Sequence, residues 1–271
     1  AGEKLAAFAL TEATAGSDAA SLKTSAVQNE KGFLLNGEKI YISNAEHADV
    51  FLVFARINEK ADDSKIAAFL IEKQQDGLNI GKAEPKMGCH GSSISSLLLE
   101  NCQLPKTALL GETNQGFKIA LSGLAPGRVS IAAAACGISS SAIQIAGNHL
   151  KNRKQFGQSL SEFQGLRFML ADMLIQQRSA ILGTRASCEE IDSIEAQGSR
   201  PKNSIASFAK CAATDAAMSI TTDAVQLLGG AGYLKEYQVE KLMRDAKMLQ
   251  IVEGTNQIQR EIIAKDYFRK S

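Results

Sequence analysis

The stretch Met243–Arg260, MRDAKMLQIVEGTNQIQR, sets the reading of the whole chain. It closes one amphipathic segment, crosses an apolar run from Met248 to Val252, and places a carboxylate, Glu253, directly before Gly254 and Thr255. A second helical pattern follows. A carboxylate between an apolar run and a glycine suits a group whose pKa and aim both matter. A surface turn with a helix cap at Thr255 fits the same letters, and both readings stay open at this point.

Back from this stretch to Pro105 the apolar residues recur with a helical period. Phe117 to Leu124 is a short predicted helix, interrupted by Pro126 and Gly127 because proline suits a first turn and not an interior. Arg128 to Asn152 follows, with Ile131, Ala135, Ile138, Ala142, Ile145 and His149 along one side, and Phe156-Gly157 ends it. Glu162 to Cys188 is the next predicted helix, with Leu166, Leu170, Met173 and Leu174 inside; Ser193 to Arg200 is a polar loop. Pro201 starts a helix that runs to Leu228, with Ile205, Phe208, Ala212 and Ala216 on one face. Tyr237 to Ala246 and Thr255 to Phe268 complete the set, which predicts an antiparallel four-helix-type bundle over residues 111–271.

Residues 1–110 read instead as short strands. Leu5 to Thr11, Val50 to Ala55, Ala67 to Ile71 and Leu97 to Leu99 are apolar runs of strand length, and Asn58 to Ser64 is a solvated hairpin loop. Asn36-Gly37, between two apolar stretches, is the strongest hairpin signal. Several short strands punctuated by Gly, Asn and Asp predict a sandwich or small barrel. No segment between them is long enough for a helical parallel crossover, which argues against a Rossmann unit. The expected class is α+β, multidomain.

The 271 residues suffice for two domains. A net charge of +1 offers no electrostatic case for nucleic acid. No apolar run reads as long and uninterrupted enough to span a membrane. The five cysteines have no paired spacing, which suits a reducing compartment. His47, His90 and His149 stand apart, without a second ligand at metal spacing, and no Gly-x-Ser-x-Gly elbow occurs. The chain opens at Ala1 and reads as strand by Ala6, as a processed product or the tail of a longer chain would.

Three weaker motifs remain. GGAG at Gly229–Gly232 follows a helix rather than a strand, so a helix cap and turn fit better than a dinucleotide fingerprint. Thr11, Glu12, Gly16, Ser17 and Asp18 make either a capped turn or a phosphate-holding nest. Arg153, Lys154 and Gln155 make either a dipole-matched helix end or a diphosphate contact.

Taken in order, LTEATAGSDAASLKT, NGEKIYISNA, RKQFGQSLSEFQ, TTDAVQLLGGAGY, EYQVEKLMRDAK and IVEGTNQIQR resemble the acyl-CoA dehydrogenase flavoprotein family from Phe8 to the C-terminus. The resemblance implies a middle β-barrel domain followed by a helical bundle that also forms a dimer-of-dimers core. It implies an all-helical N-terminal domain of about a hundred residues ahead of this point, so the chain is expected to be a fragment.

The implied activity is FAD-dependent α,β-dehydrogenation of an acyl-CoA to the trans-2-enoyl-CoA, in fatty-acid β-oxidation, with electrons leaving to an electron-transferring flavoprotein. An enoyl-CoA reductase and a non-catalytic, nucleic-acid-associated member are the alternatives on the same fold. Carried over by position, Glu253 is the catalytic base. Thr11, Ser17, Tyr41, Ser43, Thr255 and Gln257 match flavin contacts. Arg153, Phe156, Gln164, Gln226 and Gly230 match residues that grip the adenylate half of FAD in a neighbouring subunit. Ser17, Arg128 and Gly254 fall on the substrate side. The sequence departs from the family pattern at Tyr41 (often tryptophan), Ala13 (often proline) and Val252 (often tyrosine). Gly127 stands where isovaleryl-type members keep their glutamate. The expected location is the cytoplasm or mitochondrial matrix, the cytoplasm if the source is bacterial.

Overall fold

Two runs rich in β-branched and aromatic residues, Val50–Ile57 and Lys65–Glu72, pair antiparallel in full register and form the backbone of a sheet. The computed structural model describes residues 2–57 and 65–269; the expected loop Asn58 to Ser64 lies outside them. Two units emerge, one of Ala1–Lys86 with His90–Gly123, the other of Met87–Cys89 with Leu124–Ser271.

The first unit holds β1 (Ala6–Ala9), β2 (Ser25–Asn29), β3 (Gly32–Ser43), β4 (Val50–Ile57), β5 (Lys65–Glu72), β6 (Leu78–Ile80), β7 (Ile94–Leu104) and β8 (Leu109–Leu110). The sheet order is β6-β7-β3-β2-β4-β5-β8, with β1 also beside β4. This corrects the expectation of a barrel. A barrel needs every strand paired on both sides, whereas here the outer strands β6 and β8 are only 3 and 2 residues long and pair on one side each. The sheet is open and mixed. β1 and β2 lie end to end along one edge of β4, both parallel to it, and the β2–β3 hairpin takes the place of a crossover helix.

Asn36-Gly37 is not a hairpin turn. The β2–β3 turn is at Glu30-Lys31, where the Asn29 side chain accepts the Lys31 N–H at 3.0 Å. Asn36-Gly37 lies inside β3 at a register shift against β7, a bulge. Gly37 has φ +150°, and a Cβ there would meet Thr24 Oγ1 at 2.6 Å, so the position requires glycine for backbone angle and space alike.

The inner face is apolar, with Leu35, Phe51, Val53, Phe69, Leu97 and Leu99 buried. Lys39 is also fully buried; its ammonium reaches Glu12 Oε1 at 2.6 Å and the Leu10 carbonyl at 3.1 Å. The Glu12 carboxylate further accepts the N–H groups of Lys23 (2.6 Å) and Thr24 (3.0 Å).

The second unit takes most of α1 (Gly116–Asn152), then a hairpin of β9 (Lys154–Gln155) and β10 (Gln158–Ser159), α2 (Gln164–Ala196), α3 (Asn203–Leu228), α4 (Val239–Leu249) and α5 (Asn256–Phe268). Three helices are long and two short, so the plan is not four matched helices. Pro126 lies within α1 and does not end it. Proline forfeits one backbone bond, a local loss that the rest of the helix outweighs, and beyond it α1 buries one face.

That face is a line of small residues, Ala132, Ala135, Ser139, Ala142 and Ala146, one step round from the isoleucines expected to mark it. In α3 the buried line is Ile205, Ala209, Ala213, Ala217 and Ile220, while Phe208 is exposed. Leu174, expected inside α2, is exposed too. The expected loop from Ser193 is helical to Ala196, and the reversal comes at Gly198 (φ +72°). Among the described residues one helix, α1, is long and apolar enough by composition to cross a membrane, an 18-residue window of it having a mean hydropathy of 1.6. This differs from the expectation because alanine and isoleucine carry the average despite Pro126 and Arg128 near one end.

Replacing Lys39 by Met leaves the Glu12 carboxylate buried without its cation. The expected loss is about 3 kcal/mol in urea unfolding, and adding Glu12→Gln to the same chain should recover part of it.

Candidate active site

After Leu249 the chain does not simply loop to α5. The N–H groups of Ile251 and Val252 both return to the Met248 carbonyl, at 2.9 and 3.1 Å, and the Asn256 N–H returns to Gln250 at 3.0 Å. Between these ties Glu253 and Gly254 take left-handed conformations, φ +57° and +87°. For glutamate this costs roughly 1–2 kcal/mol, so other contacts must hold it. Thr255 then caps α5, accepting the Ile258 N–H at 3.4 Å. Both readings of this stretch therefore coexist: there is a cap, and there is an aimed carboxylate.

The holding contacts come from three helices of the second unit. Lys210 of α3, fully buried, donates to the carbonyls of Gln250 (3.1 Å) and Gly254 (3.0 Å) and to Asn256 Oδ1 (2.7 Å). Gln259 of α5 donates to the carbonyls of Glu253 (3.1 Å) and Gly254 (2.9 Å), and is itself fixed by the Ser207 hydroxyl at 2.7 Å. Arg128 of α1 donates through Nε to the Glu253 carbonyl at 3.2 Å. Asp215 completes the frame, accepting from Asn256, Gln250 and Arg260 at 2.6–2.7 Å. Lys210, Gln259 and Asp215 were not singled out from the sequence. A lone lysine within the small-residue run IASFAKCAAT was the available signal.

The carboxylate itself is differently placed. Glu253 Oε2 and Arg128 Nη1 are both buried and have no hydrogen-bond partner among the described residues. Burial pushes the Glu253 carboxyl above its ordinary range, with Arg128 and Lys210 pulling it partly back. Gly127 lies directly against it: a Cβ there would stand 2.7 Å from Oε2 and 2.8 Å from Cδ. A desolvated carboxylate with an unfilled lone pair, beside an unfilled guanidinium donor, suits proton abstraction from a bound molecule.

The other expected site residues fall into separate groups. In the first unit the Thr11 carbonyl accepts the Ile40 N–H at 2.9 Å, which sets Thr11 beside the end of β3 that carries Tyr41 and Ser43. Tyr41 has φ +59° at a register shift and is 64% exposed. Ser17 is exposed next to Gly16, which faces open space.

In the second unit Phe156-Gly157 forms the two-residue turn of the β9–β10 hairpin with φ +51° and +81°. Phe156 is 94% exposed there, its ring edge-on to Phe163. Arg153 and Gln164 flank this turn, both exposed. Gln226 and Gly230 are exposed at the C-terminal end of α3, where Gly229 caps the helix as the spacing suggested. Gln257 is exposed on the first turn of α5. An exposed tyrosine, an open glycine turn and exposed cationic and amide side chains fit the ring, phosphates and adenylate of FAD. Among the described residues no cluster suits a metal ion.

Two family models cover most of the chain: "Acyl-CoA dehydrogenase, middle domain" over residues 7–102 and "Acyl-CoA dehydrogenase, C-terminal domain" over residues 114–268. The acyl-CoA dehydrogenase of Bacillus subtilis (strain 168) is 43% identical over 264 residues, 97% of this chain and 68% of that protein. The short-chain-specific acyl-CoA dehydrogenase of Megasphaera elsdenii is 43% identical over 95% of this chain and 66% of its own length. The structure of butyryl-CoA dehydrogenase from Megasphaera elsdenii superposes with TM-score 0.92 at 41% identity, over 98% of this chain and 68% of that one. An acyl-CoA dehydrogenase from Bacillus anthracis, complexed with FAD, superposes with TM-score 0.92 at 33% identity, over 99% of this chain and 48% of that one. The chain belongs to the acyl-CoA dehydrogenase family.

Proposed function

We propose that the chain carries the base and the FAD-binding surfaces of an acyl-CoA dehydrogenase, which converts an acyl-CoA to its trans-2-enoyl-CoA. The observation that carries this is the buried, unpartnered Glu253 Oε2 beside Gly127 and Arg128. Glu253 removes the α-proton of the thioester, and the C–H bonding pair becomes part of the new double bond. FAD, when bound, accepts the β-hydride. Charge develops on the thioester oxygen, so an N–H donor is needed there, and the backbone N–H of Glu253 has that role by family resemblance. Gly254 keeps side-chain bulk off the substrate, and Arg128 sets the field at the carboxylate.

Thr11, Ser17, Tyr41, Ser43, Thr255 and Gln257 are assigned to the flavin and its pyrophosphate. Arg153, Phe156, Gln164, Gln226 and Gly230 are assigned to the adenylate half from a second subunit, so the working form is a homo-oligomer, a dimer of dimers. The electron acceptor is an electron-transferring flavoprotein, supported by the 42% identity and TM-score of 0.92 to a chain from structural work on the electron transferring flavoprotein of Acidaminococcus fermentans. Short straight-chain thioesters are the first substrates, following the Megasphaera elsdenii relatives.

Adding butyryl-CoA anaerobically to the FAD-loaded protein should bleach the flavin band and raise a long-wavelength charge-transfer band. A flavin that no acyl-CoA bleaches would exclude the activity. Glu253→Gln should retain FAD and lose turnover by at least about 100-fold.

The same substitution carries a pH signature. Because the folded carboxyl titrates above its unfolded value, the folded state holds the proton more tightly. Its contribution is favourable at low pH and lost as pH rises through the raised pKa. Glu253→Gln should therefore raise Tm at pH 8, with a smaller gain at pH 4, and kcat/KM of the wild type should fall on an acid limb above the ordinary carboxylate range.

Phe156→Asn should stabilise the hairpin by about 1 kcal/mol, since asparagine tolerates φ > 0, while weakening FAD retention in gel filtration. Unchanged retention would remove Phe156 from the FAD surface.

A further inference from the structure

Burying a lysine takes a strongly hydrated charge out of water and is sustained only when oxygen atoms replace that water. Lys210 has three such oxygens, all in or beside the turn that presents Glu253: the carbonyls of Gln250 and Gly254 and the side-chain oxygen of Asn256. One bond grips the start of the turn, one its end, and one the first residue of the next helix. Two consecutive residues between them are left-handed. A single ammonium thus closes the turn as a metal ion would close a loop, and leaves the Glu253 side chain itself untouched.

We propose that Lys210 is a positioning residue for the reaction: its ammonium clamps the Gln250–Asn256 turn so that the Glu253 carboxylate points at the substrate's α-carbon. This rests on the assignment of Glu253 as the base. The charges around the clamp are Asp215 on α3, Arg128 on α1 and Glu253 in the turn, with the Cys211 thiol held neutral beside them; α5 offers the neutral Asn256 as a direct partner and the cation Arg260, which is paired with Asp215 at 2.6 Å. Burial pulls the Lys210 ammonium down to about 8, so near neutral pH it is charged. Its field helps keep Glu253 ionised, opposing the desolvation that pushes the carboxyl up.

Lys210→Met keeps the apolar stem and removes the ammonium. In the intact FAD-loaded protein, with an acyl-CoA that bleaches the wild-type flavin, kcat should fall about 100-fold, the scale set by small misplacements of a reacting group. KM should change by no more than about twofold, because ground-state binding is kept. The acid limb of kcat/KM should move to higher pH, because a cation that favoured the carboxylate is gone. Hydrogen exchange should speed up at residues 250–256 while the Ala132–Ala146 segment of α1 keeps its protection.

If the Met variant does not fold, Lys210→Gln, which keeps an N–H donor without charge, is read for the same kcat fall and shifted limb. A folded variant with wild-type kcat and an unmoved acid limb would overturn the proposal. So would loss of FAD and protection across the whole helical unit in both variants, since that is a general structural role. A wild-type flavin that no acyl-CoA bleaches would instead overturn the proposed function and the positioning role with it, so the two failures are told apart by the wild-type control.

Discussion

A left-handed glutamate is an uphill conformation, and the second unit is arranged around keeping one. Glu253 at φ +57° is tied through its own carbonyl to Arg128 and Gln259 and through its neighbours to Lys210. These partners come from α1, α5 and α3. Each is buried, and each therefore needs the turn as much as the turn needs it: without those carbonyls the ammonium of Lys210 would lie in the core unpaired. This mutual dependence explains how a strained residue persists. The strain is small beside the cost of leaving several buried donors unsatisfied.

The same logic governs the first unit on a smaller scale. Lys39 and Glu12 bury opposite charges, and the carboxylate also collects the N–H groups of Lys23 and Thr24. That fastens the segment from Leu10 to Thr24 onto β3. Thr11 and Ser17 are carried by the fastened segment, and Tyr41 and Ser43 lie just beyond Lys39 on β3. Four of the residues assigned to the flavin, Thr11, Ser17, Tyr41 and Ser43, thus stand on two stretches that one buried ion pair locks together.

Element type was legible in the sequence wherever periodicity was long, and topology was not. Helical spacing located α3, α5 and the start of α2 to within a few residues, because one buried stripe repeats over many turns, and it ended α2 eight residues short of Ala196. It misjudged the faces of α1 and α3, because the buried line is made of alanines that a hydrophobicity scan ranks below isoleucine and phenylalanine. Asn36-Gly37 spelled a turn but served as a bulge, since a glycine with positive φ answers either need and only the partner strand decides. Sheet closure depends on what the short outer strands β6 and β8 meet, and no local pattern encodes that. At the site, Glu253 could be found from its odd neighbours in the sequence. Lys210, 43 positions earlier, had no reason to be linked to it until the fold placed its ammonium on the turn's carbonyls.

The glycine at 127 follows from the same geometry. Its α-carbon borders the space that the Glu253 carboxylate occupies, and even a methyl group would come within 2.8 Å of Oε2 and Cδ. The two positions compete for one volume. A larger side chain at 127 forces the carboxylate out of its buried place or opens the turn, and either change alters the desolvation that raises its pKa. Pro126 sits immediately before, fixing one backbone angle where α1 passes this space, and Arg128 follows immediately after, reaching the Glu253 carbonyl. Two successive residues of α1 thus act on one carboxylate. Gly127 leaves the room and Arg128 supplies the charge. The buried carboxylate at 253 is as much a property of this pair as of the turn that bears it.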